Sequence, residues 1–92
     1  MRVSVDISLY PFGKDFVSSI NDVIERLQAH GSIQIFTNLM AAQLVGEYDD
    51  LMFALKQEIG ETFKKIPNAV FTIKILNNPI EQQLLYIYTV NN

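Results

Sequence analysis

The residues best suited to chemistry lie in one stretch near the start of the chain. In "VSVDISLYPFG", Val3 to Gly13, apolar and polar residues alternate until a proline interrupts them. As a strand, this stretch puts Val3, Val5, Ile7 and Leu9 on one face and Ser4, Asp6, Ser8 and Tyr10 on the other. The second row offers hydroxyls, a carboxylate and a phenol, which can accept, donate and stack. Solvent, a partner subunit or a ligand could each account for such a row.

Little else points to catalysis. His30, the only histidine, stands beside a helix-ending Gly31, and no serine or carboxylate is placed around it by a recognisable motif. Its position assigns it to capping a helix C-terminus. Glu47, Asp49 and Asp50 suit the first turn of a helix and do not match a calcium loop. No glycine-rich phosphate cradle occurs. The absence of cysteine excludes disulfides, thiolate metal sites and thiol nucleophiles. These observations predict a protein that is not an enzyme and holds neither metal nor cofactor.

Composition narrows the partners. The 92 residues are 49% hydrophobic and 18% charged, enough apolar material for one small core. The net charge is −3 and the basic residues are scattered, so nucleic acid is not an expected partner. The adjacent Lys64 and Lys65 fall where cations complement a helix dipole. No apolar run approaches the roughly 20 residues that span a bilayer, and the first residues do not resemble a signal peptide. The expectation is a cytoplasmic protein with no membrane partner.

The elements that must position the polar row follow from periodicity. After the strand over Val3 to Tyr10, Pro11-Phe12-Gly13 reads as a turn and Asp15 as a helix cap. Phe16, Ile20, Val23, Ile24 and Leu27 then form an apolar stripe, with Asp22, Glu25, Arg26 and Gln28 facing away, and Gly31 ends the helix. A short second strand over Ile33 to Phe36 and a third over Met40 to Val45 follow, joined tightly at Thr37-Asn38. "GEYDD" reads as a break, with Asp49 or Asp50 capping a second helix that runs to about Lys65. Leu51, Met52, Leu55, Ile59, Phe63 and Ile66 share one face of it. Gly60 within this helix costs up to about 1 kcal/mol relative to Ala, which points to a close packing contact. Pro67-Asn68 closes the helix, and Ala69 to Leu76 forms a fourth strand.

The order β-α-β-β-α-β is that of a ferredoxin-like α+β fold: a four-stranded antiparallel sheet, strands one and three central, both helices on one face. The covered face receives Val3, Val5, Ile7, Leu9, Phe71, Ile73 and Ile75. The open face receives Ser4, Asp6, Ser8 and Tyr10, with Ala41, Gln43 and Val45 from strand three and Val70, Thr72 and Lys74 from strand four. Acylphosphatases share this fold but need an arginine in a phosphate-binding loop, whereas Arg2 and Arg26 lie at the terminus and in mid-helix. The division is a ferredoxin-like domain over 1–78 and an extension over 79–92. In the extension, Leu84 to Val90 favours a strand, paired with its own sheet edge or, as we favour, used in self-association.

Two blocks carry a resemblance. "ISLYPFGKDFVSSINDVIERL" and the later "MAAQLVGEYDDLMFALK" resemble the YkoF-like proteins that bind thiamine and hydroxymethylpyrimidine, and their single-domain relatives. Ser8-Leu9-Tyr10-Pro11 with Asp15-Phe16 match the first motif; Leu44, Gly46 and Asp50 match the second. The likeness covers about Val5 to Leu76. It implies a ferredoxin-like domain that binds rather than catalyses, and a chain of this length would self-associate, as a homodimer or homotetramer, to reproduce the family's tandem arrangement. One departure is Ala41-Ala42, where the family usually has Ser-Thr or Gly-Thr. Gln43 could substitute as donor and acceptor.

The resulting expectation is a thiamine- or pyrimidine-binding site on the open face, made of Asp6, Ser8, Tyr10, Asn38, Gln43 and Thr72. Ser8, Asn38 or Gln43 would hydrogen-bond the ring, Asp6 would offset its positive charge, and Tyr10 would stack. The rival expectation is an interaction module whose open face is buried in a homo-oligomer, with Asp6 paired to Lys74 or to a partner residue.

Overall fold

The computed structural model describes residues 1–11, 15–37 and 41–77. Six elements follow in the order β1 (Arg2–Tyr10), α1 (Phe16–Gln28), β2 (Gln34–Thr37), β3 (Ala42–Glu47), α2 (Tyr48–Lys65) and β4 (Val70–Leu76). They build a ferredoxin-like fold, with the four strands antiparallel in the order β2-β3-β1-β4. The two inner strands are those expected from two interlocked right-handed βαβ units.

The alternation in β1 becomes the core directly. Val3, Val5, Ile7 and Leu9 are buried together with Ala42 and Leu44 of β3, Val23 and Leu27 of α1, and Leu51, Ala54 and Leu55 of α2. Phe71 and Ile73 pack partly against the same cluster. Ile75 shares their parity but is mostly exposed, because it sits near the end of an edge strand.

Helix α1 is started as its sequence predicts, by the Asp15 carboxylate accepting from the Ser18 amide at 3.0 Å. It stops where Gly31 takes a left-handed φ of +77°, a conformation that favours glycine.

Strand β3 and helix α2 depart from expectation at their shared boundary. Gly46 is no break: it is buried, paired with Val3, and continues the strand to Glu47. A Cβ at this position would lie 3.2 Å from the Ser32 carbonyl oxygen, so glycine lets the chain before β2 approach β3 closely. Helix α2 starts at once with Tyr48. Neither Asp49 nor Asp50 caps it; both lie in its first turn. The Tyr48 amide donates to the Met1 carbonyl at 2.8 Å, so the start of β1 completes the helix end.

The buried stripe of α2 is Leu51, Ala54, Leu55, Glu58 and Thr62. Phe63, expected on that face, is exposed and meets Phe71 edge-on at 5.6 Å. Gly60 has nothing within 4 Å of a hypothetical Cβ, so the expected packing contact at this glycine is absent among the described residues.

Candidate functional site

The register of the sheet decides which polar residues meet. Asp6 stands opposite Gln43 on β3 and opposite Lys74 on β4. Gln43 in turn stands opposite Phe36 on β2. One row therefore crosses all four strands as Phe36–Gln43–Asp6–Lys74. Strands are spaced about 4.8 Å apart, so the row spans about 14 Å of backbone. Two residues along β1, Ser8 faces Thr72; two further on, Tyr10 faces Val70.

All of these residues share the face the helices do not cover, since their neighbours of opposite parity, Val5, Ile7, Ala42 and Leu44, belong to the core. Of the predicted site residues, Asp6, Ser8, Tyr10, Gln43 and Thr72 are thus brought to one face. Asn38 lies outside the described residues, as does the extension over 79–92.

That face is not uniformly open. Ser4 and Val45, which face each other, are only 2% and 0% exposed. Asp6, Ser8 and Gln43 are half-buried, while Tyr10, Thr72 and Lys74 are exposed. On β1 itself, access therefore begins at Asp6 and increases toward Tyr10. Phe36, half-buried beside Gln43, was not among the predicted site residues. The signal for it was its shared parity with polar Gln34, but only the β2–β3 register brings it next to Gln43.

Electrostatics on this face are unbalanced locally. Asp6 and Lys74 stand directly opposite yet form no salt bridge, and among the described residues neither side chain makes a hydrogen bond. A carboxylate, an ammonium, an amide and two hydroxyls therefore lie together with capacity for an external partner.

The cavity between α1 and the sheet, lined by Ile7, Leu9, Ile20, Ile24, Ala42 and Phe71 among others, measures about 20 Å³. That is space for about one water and not for a heteroaromatic ring.

A second polar cluster joins the helices. Arg26 does not face away from the protein as its place in the α1 pattern predicts. Its Nη1 donates to the Glu58 carboxylate at 2.9 Å and to the Glu58 carbonyl at 3.1 Å, and its Nη2 donates to the Thr62 hydroxyl at 2.6 Å. Asp22 lies 3.2 Å from Arg26 on the outer side. His30 does not cap α1 with its side chain: its Nε2 reaches the Glu58 carboxylate at 2.8 Å and its ring meets Phe53 edge-on. With its partners inside the protein, this cluster is a helix-to-helix clamp. Neither Arg26 nor His30 is available to a ligand on the sheet face.

Shifted ionisation is found at the start of β1, at the end of the sheet away from Tyr10. Hydrogen bonding to Glu47 raises the Met1 ammonium above its ordinary pKa, and the same contact, at 2.8 Å, lowers that of Glu47. Both groups are exposed. The ammonium's contribution is present below its unfolded pKa and fades as pH rises through the folded one. That of Glu47 is present above its unfolded pKa and fades as pH falls.

Among the described residues no cluster of side chains could hold a metal ion, and no helix is long and apolar enough to cross a membrane.

No protein-family model and no curated protein matches this chain. Solved structures do. A Streptococcus pneumoniae protein is 26% identical over 91% of this chain and 98% of its own, with a TM-score of 0.79. A domain of unknown function (DUF77) from Bacillus cereus is 26% identical over 86% of this chain and 78% of its own, with a TM-score of 0.70. A Thermotoga maritima protein described as a candidate thiamine biosynthesis/salvage protein is 18% identical over 95% of this chain and 99% of its own, with a TM-score of 0.83. At that identity the last likeness speaks for the fold alone.

Proposed function

We propose that this chain is a non-catalytic binding protein for thiamine or its hydroxymethylpyrimidine moiety, a single-domain relative of the YkoF-like proteins that works as a homo-oligomer. The observation that carries the reading is the row Gln43–Asp6 with the Ser8–Thr72 pair beside it, on the face the helices leave uncovered. The candidate thiamine-related role of the Thermotoga maritima protein, which shares the fold, supports the same choice of ligand.

In this reading the Asp6 carboxylate accepts from the exocyclic amine of the pyrimidine or faces the thiazolium charge. Gln43 hydrogen-bonds the ring edge, Ser8 and Thr72 offer hydroxyls to the rest of the ligand, and Tyr10 supplies a stacking surface. No acid, base or nucleophile is required. Isothermal titration with thiamine and with hydroxymethylpyrimidine tests this directly: saturable heat is expected with at least one. Silence up to millimolar concentration of both would remove the named ligands. Asp6→Ala is expected to weaken binding by at least about tenfold, the worth of one hydrogen bond to a charged group.

A second reading rests on a separate observation. Tyr10, Val70 and Leu76 are large or apolar, exposed, and on the same face as Asp6. A homo-oligomer could bury them and hold no metabolite. Asp6→Ala would then change the elution volume in size-exclusion chromatography and leave no ligand affinity to lose.

A further inference from the structure

We infer that Lys74 is a specificity-determining residue of this face, selecting a ligand that carries a phosphate on its far side from the ring. The inference rests on the binding reading above and adds the direction of the ligand and its charge class. Lys74 stands opposite Asp6 but is not ion-paired with it, so the ammonium is available to a ligand anion. Thr72 lies two residues away on the same strand and face, about 7 Å along it, and Ser8 stands opposite Thr72. One ammonium and two hydroxyls thus share the β1–β4 side of the face, a donor set suited to phosphate oxygens.

The other side of the row has the opposite character. Phe36 and Gln43, on β2 and β3, offer a ring and an amide, which suit a flat heteroaromatic and not an anion. Asp6 lies between the two sides and suits a cationic or amine-bearing centre. A cationic heteroaromatic phosphate fits in one direction only: ring over Gln43 toward Phe36, cationic centre at Asp6, phosphate at Lys74, Thr72 and Ser8. Reversal would set phosphate against the aromatic side and leave Lys74 facing a ring.

Titration of the wild-type chain with thiamine and with thiamine monophosphate, repeated on Lys74→Gln, tests the inference. Lys74 is exposed, so the variant is expected to fold, and an unchanged circular dichroism melt checks this. The phosphate ester is expected to bind about tenfold tighter than thiamine to the wild type, the value of one charge-assisted contact. The preference is expected to shrink to about twofold in Lys74→Gln through weaker binding of the monophosphate, while thiamine, a cation, binds no more weakly than to the wild type. If thiamine binds and the monophosphate binds no tighter, or the preference survives in Lys74→Gln, the role of Lys74 is overturned and the binding face stands. If neither compound binds the wild type, both fall.

Discussion

Replacing Glu58 should separate the fold's stability from the proposed binding face. Its side chain is 8% exposed and its carboxylate takes contacts from two directions, Arg26 at 2.9 Å and His30 at 2.8 Å. Arg26 is itself only one-fifth exposed, and its Nε is buried with no hydrogen-bond partner. Removing the carboxylate therefore leaves the guanidinium poorly compensated, although the Glu58 carbonyl, Thr62 and Asp22 still face it. Breaking a fully buried pair costs about 3–5 kcal/mol; these remaining partners place Glu58→Ala at the lower end, about 3 kcal/mol. Glu58→Gln keeps the shape and loses the charge, at about 1–2 kcal/mol. For a domain of this size about 3 kcal/mol lowers Tm by more than about 10 °C. Urea unfolding of both variants measures the costs. The double replacement Arg26→Leu with Glu58→Leu should recover much of the loss, because an apolar pair in place of a buried ion pair is often neutral. Thiamine affinity of the surviving folded fraction should not change, since the clamp lies in the helix layer. If Glu58→Ala unfolds within about 0.5 kcal/mol of wild type, the clamp carries no weight and the reasoning fails.

Three further changes test single residues. Gly60→Ala should stabilise α2 by about 0.5–1 kcal/mol, because no atom stands in the way of its Cβ; a lower denaturation midpoint would mean that something packs there in solution. Gly46→Ala should do the reverse, costing about 1–2 kcal/mol in a thermal melt, because the atom met at 3.2 Å is backbone and must move with the chain before β2. Asp15→Ala should cost about 1 kcal/mol through loss of the Ser18 cap, and Asp15→Ser should restore most of it, as read by chemical denaturation.

The fold was legible because its strongest signals are local. The alternation of β1 maps onto the two faces of the sheet, with Ser4 the one residue of the polar row that is buried, and the stripe of α1 maps onto Val23 and Leu27. Parity likewise placed Asp6, Ser8, Tyr10, Gln43 and Thr72 on one face before any pairing was known. What escaped is what only pairing decides. Phe36 becomes a neighbour of Gln43 through the β2–β3 register, which short strands leave weakly marked in sequence. Gly46 has the look of a turn residue, yet its use is to admit the Ser32 backbone, a contact made by a segment 14 positions away.

The α2 stripe shows the same limit most sharply. Positions 51, 55, 58 and 62 follow helical spacing, but Glu58 and Thr62 are polar, so a reading by hydrophobicity moves the stripe round to Ile59 and Phe63. A carboxylate can occupy that stripe only if a second helix brings a cation to it, and Arg26 and His30 do so from α1 and the segment just after it. The two basic residues that would otherwise have suggested anion binding or catalysis are thereby committed to the helix layer. This leaves Lys74 as the cation beside Asp6, so that in the proposed binding reading discrimination by charge falls to the sheet face rather than to the helices.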